Sequence, residues 1–143
     1  MKKNNRNHSL IVLYDEQNRI FFQNRKSISK IGEEYGFFGG GVEAGETFED
    51  TLIREVKEEL NIQLDPSKIH KACEFTKTIT GLGESKTVIF TSPFEKKYLV
   101  TLKIQEGDGG EWLSLDEIKQ KKIFPHDYLI INMLEDYFHN LNL

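Results

Sequence analysis

Apolar residues in this chain follow two rhythms. Leu10 to Tyr14 is a short unbroken apolar run, which predicts a buried strand. Asp15-Glu16-Gln17-Asn18 is turn-forming, and Ile20-Phe21-Phe22 predicts a second strand, so the two should form a hairpin. Arg25 to Glu34 is polar and predicts a loop. Gly36-Phe37-Phe38-Gly39-Gly40-Gly41 is too rich in glycine for regular helix. The rhythm then changes: Phe48, Leu52, Val56 and Leu60 recur every fourth position and define one face of a helix over Thr47 to Leu60. Thr47 with Asp50 three residues on has the form of a capping box, and Asn61 stands where a left-handed residue ends a helix.

From Ile69 onward the pattern returns to strands. Ala72 to Ile79, Thr87 to Thr91 and Tyr98 to Ile104 are rich in β-formers and predict three strands. Gly107 to Gly110 predicts a loop and Glu111-Trp112-Leu113 a short strand. Ser114 and Glu117 form a second capping box, opening a short helix. Asp127 to Leu141 predicts a closing amphipathic helix that buries Ile130, Met133, Leu134, Tyr137 and Phe138. Strands and helices do not alternate regularly, so the expected class is α+β, an α/β/α sandwich with a mixed sheet, rather than a doubly wound fold. The length predicts a single domain over residues 1–143.

Charge narrows the partners. A formal net charge of -4 provides no basic field for a DNA or RNA polymer, so a small ligand is the better expectation. No apolar run approaches a membrane span, and the apolar stretch after the basic Met1 to His8 segment is too short for a signal-peptide core. Cys73 is the only cysteine, so no internal disulfide can form, and it reads as a small buried residue rather than a nucleophile. These features together predict a cytoplasmic protein.

The candidate chemistry lies on the Thr47–Leu60 helix. On a helical wheel Glu55 and Glu59 fall within about 20° of Phe48, and Glu58 at about -80°. Carboxylates spaced i,i+3 and i,i+4 repel one another, and those near an apolar face also lose hydration. A divalent cation relieves both penalties, and oxygen ligands suit Mg²⁺ or Mn²⁺. Taken alone, an acidic helix edge is more often a solvated surface.

The wider pattern changes that balance. Gly40-x5-Glu46-x7-Arg54-Glu55-Val56-x-Glu58-Glu59-x-Asn61-Ile62 closely resembles the signature of the Nudix hydrolases, G-x5-E-x7-R-E-U-x-E-E-x-G-U with U aliphatic. Every fixed position matches except the last glycine, replaced by Asn61, a residue that tolerates the left-handed conformation. Arg19 to Gly40, and Gln105-Glu106-Gly107 through Leu115, also resemble MutT-type nucleoside triphosphate pyrophosphohydrolases of that family. Phe38 is a departure, since many members carry proline there.

The resemblance implies roles. Glu55, Glu58 and Glu59 would surround Mg²⁺, which Mn²⁺ can replace, with the Gly39 carbonyl and Glu106 adding ligands. Glu55 would be the general base or would orient the attacking water; Glu84, in a variable segment, is the spare candidate. Arg54 would hold Glu55 and pair with Glu46, which lies too far away in sequence for a helical i,i+4 pair. Arg25, Phe38, Gly40 and Asp127 would contact substrate. Phe37, Phe38, Phe75, Trp112, Phe124 and Tyr128 are aromatic candidates for a base-stacking wall, each equally able to be core.

The expected reaction is hydrolysis of a nucleoside triphosphate to a nucleoside monophosphate and pyrophosphate, without a covalent enzyme intermediate. Phe124-Pro125-His126-Asp127 resembles the place where MutT-type enzymes read the base, but the asparagine that recognises oxidised guanine is not matched. An 8-oxo-dGTP specificity is therefore one option among several non-standard nucleotides. Two alternatives stand beside it. One is hydrolysis of a different nucleoside diphosphate derivative: a sugar nucleotide, a dinucleoside polyphosphate, ADP-ribose or capped RNA. The other is a non-catalytic nucleotide-binding module, which would typically have lost box carboxylates. Family habit allows a monomer or a homodimer.

Overall fold

A computed structural model describes residues 7–81 and 83–141; most of the basic N-terminal segment, and Leu82 next to the Glu84 candidate, lie outside them. Seven strands form one mixed sheet: β1 His8–Tyr14, β2 Ile20–Asn24, β3 Tyr35–Gly36, β4 Phe38–Gly41, β5 His70–Ile79, β6 Gly83–Pro93 and β7 Gly110–Leu113. Among the described residues four α-helices accompany them, α1 Phe48–Leu60, α2 Tyr98–Thr101, α3 Leu115–Lys119 and α4 Asp127–Leu141, with one 3-10 turn at Pro66–Lys68. The spatial order is β3-β2-β1-β6-β5, with β4 also paired to β1 and β7 to β2. Among the described residues only β1 and β6 run parallel; every other pairing is antiparallel.

Strand alternation sorts the core into two layers. Ile11 and Leu13 of β1 face α1, where they meet Leu52, Val56 and Leu60, all three fully buried. Val12, between them, faces α4 and joins Ile89, Ile130, Leu134 and Phe138. Each fully buried aliphatic side chain contributes roughly 1.5–3 kcal/mol. Sheet and helices therefore make the expected sandwich, and α1 is fixed along one sheet face by its apolar edge. No helix of the described residues is long and apolar enough to cross a membrane.

Local chemistry sets the element ends. Asp15 Oδ1 accepts the backbone N–H of Gln17 and of Arg19, at 2.9 and 2.8 Å, and Asn18 takes φ 60°, closing the β1–β2 turn. Thr47 and Asp50 exchange side-chain and backbone hydrogen bonds at the start of α1. Asn61 ends the helix at φ 55°, ψ 39°. Its left-handed conformation is the reason asparagine substitutes for glycine there. Ser114 and Glu117 form the second box as expected.

The strand expected over Tyr98 to Ile104 is not one. Tyr98–Thr101 is a single helical turn, closed by Leu102 N–H donating to the Tyr98 carbonyl at 2.9 Å. A strand would have put Tyr98 and Val100 on one face, yet Tyr98 is buried and Val100 is 87% exposed. Tyr98 is held by its ring against Phe94 and its hydroxyl on Glu95, 3.1 Å away. The following residues then run past the end of α1, where Lys103 and Gln105 donate backbone N–H groups to the Leu60 and Glu59 carbonyls at 2.9 and 2.8 Å. That path delivers the late loop to the carboxylate edge of α1.

Candidate active site

The loop after β4 folds back along α1 and brings Glu46 onto Arg54. Arg54 Nε donates to Glu46 Oε2 at 2.6 Å and Nη2 to Glu46 Oε1 at 3.0 Å, a two-pronged grip. Glu46 also accepts from the Thr51 hydroxyl and the Glu43 N–H, at 2.8 and 3.0 Å. The Arg54 guanidinium beside it holds the Glu46 carboxyl down at about 2. The other edge of the guanidinium is aimed at the acidic face: Nη1 donates to Glu55 Oε2 at 2.9 Å and to Glu58 Oε1 at 3.1 Å. Arg54 therefore braces Glu55 and Glu58, two of the three signature carboxylates on α1, from a position anchored by loop Glu46.

The three helix acids differ in environment. The Glu58 side chain is 59% exposed, that of Glu55 only 18%. Glu55 packs on the backbone of Gly40, where any Cβ would overlap its carboxyl group. Burial raises the Glu55 carboxyl, Arg54 opposes the shift, and the charges of Glu58 and Glu106 add to it. Glu59 is half-buried and accepts the Gly39 N–H at 3.0 Å. Burial first, then the Glu55 and Glu106 charges, push Glu59 up to about 8 against the Gly39 bond and Arg25.

Among the described residues, no group of three or more His, Cys, Asp or Glu side chains stands ready to grip a metal ion. Glu55 and Glu58 turn onto Arg54 instead. The donor set nonetheless fits a hard divalent ion. The Glu106 charge raises both Glu55 and Glu59, and the Glu55 charge raises Glu59, a crowding of negative charge that a cation relieves. Glu84 instead sits exposed on β6 opposite Thr78, in a strand rather than a loop.

A second group of residues lies on the α4 side. Arg25 is only 12% exposed; it bonds to Glu33 and Gln23, and its guanidinium carbon stands 5.4 Å from the centre of the Phe124 ring. Its charge reaches both Glu59 and Asp127. Asp127 is 2% exposed, and its Oδ2 has no hydrogen-bond partner. Burial pushes its carboxyl up to about 7. His126 Nε2 stands 3.3 Å from Asp127 Oδ1, and the imidazole is flanked by Phe124 at 5.7 Å and Phe75 at 6.0 Å.

The aromatic expectations divide accordingly. Phe38 is 1% exposed and stacked on Phe21 in the α1-side core, so the expectation that its side chain touches substrate is corrected: the ring is committed to core packing. Phe37 is core on the opposite face, and Trp112 packs on Phe21 and Phe94. Phe75 and Phe124 frame His126, and Tyr128 is 44% exposed. Sequence reasoning missed Gln23 and Glu33, and named His126 only as part of the Phe124-Pro125-His126-Asp127 turn. A polar residue closing the apolar run Ile20-Phe21-Phe22 was the available signal for Gln23; nothing marked Glu33.

The family model of the NUDIX domain matches residues 4–134. This chain belongs to the Nudix family. A Nudix hydrolase of Deinococcus radiodurans is 32% identical over 82 residues, which are 56% of this chain and 45% of that protein, so the match spans about half the relative's length. The Nudix fold is equally clear from solved structures. The MutT protein of Methanosarcina mazei Go1 superposes with TM-score 0.71 at 16% identity, covering 96% of this chain and 95% of that one. The NUDIX domain of Shewanella oneidensis NrtR, solved with ADP ribose, gives 0.70 at 18% identity over 96% and 90%. At these identities the structural likeness speaks for the Nudix fold alone.

Proposed function

We propose that this Nudix domain hydrolyses a phosphoanhydride bond in a nucleoside triphosphate in a Mg²⁺-dependent reaction, releasing a nucleoside monophosphate and pyrophosphate. The observation that carries the reading is Arg54, gripped by Glu46 on one edge and holding Glu55 and Glu58 on the other, beside the half-buried Glu59. Glu55, Glu58, Glu59 and Glu106, with the Gly39 carbonyl, would hold Mg²⁺ or Mn²⁺. When bound, such an ion neutralises charge on the diphosphate and lowers the pKa of water at the site.

The chain's own groups do the rest. Glu55 takes the proton from the attacking water, or orients that water, and Arg54 fixes its carboxylate. Water adds to one of the two phosphorus atoms flanking the bridging oxygen as that P–O bond breaks, and the displaced group, monophosphate or pyrophosphate, leaves with the electron pair. Arg25 has two N–H donors committed to Glu33 and Gln23 and offers the others to phosphate oxygens. Gly40 gives Glu55 the space it occupies. Asp127, with a buried oxygen lacking a partner, contributes to recognition of the base, with Phe75, His126 and Phe124 as the adjoining aromatic edge. A cytoplasmic setting accords with a single unpaired cysteine.

A screen of nucleoside triphosphates and nucleoside diphosphate derivatives with Mg²⁺ and Mn²⁺, with products resolved by mass, tests the proposal. It is supported if a triphosphate, 8-oxo-dGTP included, yields monophosphate and pyrophosphate, and if Glu58→Gln abolishes turnover. Preferential cleavage of ADP-ribose or a sugar nucleotide would transfer the reading to that class, which the ADP-ribose complex of the Shewanella domain makes the second choice. A panel left untouched with either metal would favour a non-catalytic nucleotide-binding module.

A further inference from the structure

A chain of polar side chains links the loop after β2 to the late loop that carries Glu106. It starts at Glu33, whose side chain has no solvent exposure. Glu33 accepts the Ile31 N–H at 3.0 Å, the Lys30 N–H at 3.1 Å, the Ser29 hydroxyl at 3.2 Å and Arg25 Nε at 3.0 Å. Arg25 Nη1 donates to Gln23 Oε1 at 2.8 Å. Gln23 is 1% exposed, and its Nε2 donates to the Glu106 carbonyl at 3.2 Å.

The late loop lies flat against Gln23. Gly107 has φ +81°, and a Cβ there would stand 2.6 Å from the Asn24 carbonyl oxygen and 3.3 Å from Gln23 Nε2. Asn24 exchanges backbone bonds with the same loop: its N–H donates to the Gly109 carbonyl and its carbonyl accepts the Asp108 N–H, both at 2.9 Å. Gln23 follows three buried apolar residues on β2, where an apolar side chain would fill the space at lower desolvation cost. Gln23 instead uses both ends of its amide, one towards Arg25 and one towards Glu106. The Glu106 charge in turn acts on Glu55 and Glu59 across the acidic edge of α1.

We propose that Gln23 is a positioning residue, holding the Glu106 segment against the α1 carboxylates and Arg25 beside them through a hydrogen-bond chain anchored at Glu33. This rests on the metal-dependent reading above. Partners one step removed from a metal ligand typically change affinity or activity by about 10–100-fold.

Two variants of the full chain separate the bonds. Gln23→Met keeps the volume and loses both. Gln23→Glu keeps an acceptor for Arg25 and loses the donor to Glu106. Mn²⁺ affinity is measured without nucleotide, by titration calorimetry or by the electron paramagnetic resonance of free Mn²⁺, alongside melting temperature. Both variants are expected to bind Mn²⁺ about tenfold more weakly than the parent. The KM for nucleotide should rise more in Gln23→Met, which alone releases Arg25. In a Glu106→Gln background, Gln23→Met should cost Mn²⁺ affinity no further, because Gln23 holds the Glu106 backbone carbonyl only to place the carboxylate that this background already lacks. Parent-like Mn²⁺ affinity in folded Gln23→Glu, or additive losses in the double variant, would overturn the proposal and leave Gln23 a structural stitch. A parent protein that binds no Mn²⁺ at all would bring down the metal-dependent reading, and this inference with it.

Discussion

Arg54 meets Glu46 through two hydrogen bonds, one to each carboxylate oxygen, 2.6 Å from Nε and 3.0 Å from Nη2, across eight residues of sequence. The grip leaves Nη1 for Glu55 and Glu58, so one guanidinium ties the β4–α1 loop to the acidic edge of the helix. A lysine offers a single point charge and cannot reproduce that fork. Arg54→Lys should therefore fold and retain binding while kcat falls by about 10²-fold, because the change disorders Glu55 rather than a substrate contact. Steady-state kinetics on the best substrate of the panel checks this. An increase in KM with kcat unchanged would show that Arg54 binds substrate instead of bracing Glu55.

Glu59 makes a different prediction because its carboxylate is costly without a cation. Burial and its acidic neighbours hold it up to about 8, so above that pH the metal-free fold carries an uncompensated charge. Glu59→Gln removes the charge and keeps the shape. Its metal-free melting temperature at about pH 9 should equal or exceed that of the parent, while Mn²⁺ binds at least about tenfold more weakly. Thermal melts with and without added Mn²⁺ read both effects. A variant that is less stable without metal yet binds it normally would assign Glu59 a packing role.

Legibility in the sequence followed how local each determinant was. The limits of α1 could be read because Thr47, Asp50 and Asn61 act within their own helix ends. The α1 acids could be placed on one edge because helical period alone decides it. Tyr98 to Ile104 was misread because β-branched and aromatic residues suggested a strand, whereas Phe94, Glu95 and the end of α1 decide its course. Glu33 was invisible: its donors come from backbone turns just before it and from Arg25 eight residues earlier, and no periodicity marks a buried acid in a polar loop. The Phe38 ring could be core or substrate contact on sequence alone, because its stacking on Phe21 of β2 depends on the tertiary fold.

Glu33 and Glu46 are both held at about 2. For Glu33, burial pushes the other way, and the Ile31 N–H, Arg25 and the Lys30 N–H overcome it. For Glu46, the Arg54 bond is the leading cause. A carboxyl depressed in the folded state stabilises it above the unfolded value, near 4.3, and that contribution disappears as pH falls towards the folded value. Stability should therefore drop between about pH 4.5 and 2, and Glu33→Gln should flatten that slope while lowering the melting temperature at neutral pH. Melts across this range test it; an unchanged acid slope in the variant would remove Glu33 from the account.

Asp127 works in the opposite direction. Burial raises its carboxyl to about 7, against a Phe124 backbone bond and the Arg25 charge, and its Oδ2 has no partner. A group raised in the folded state contributes stability that is complete below the unfolded value, near 3.9 for aspartate, and is lost as pH rises through the folded value. The metal-free protein should thus lose stability between about pH 4 and 7 through Asp127, with Glu59 acting in the same sense up to about pH 8. Asp127→Asn abolishes this site's titration, so the difference in melting temperature between those pH values should shrink, with Glu59 supplying what remains. Added nucleotide should stabilise the parent more than the variant if the unpartnered oxygen is where a base makes its hydrogen bond. A variant with the parent's full pH slope and the parent's nucleotide-induced shift would show that Asp127 neither titrates in this range nor touches the ligand.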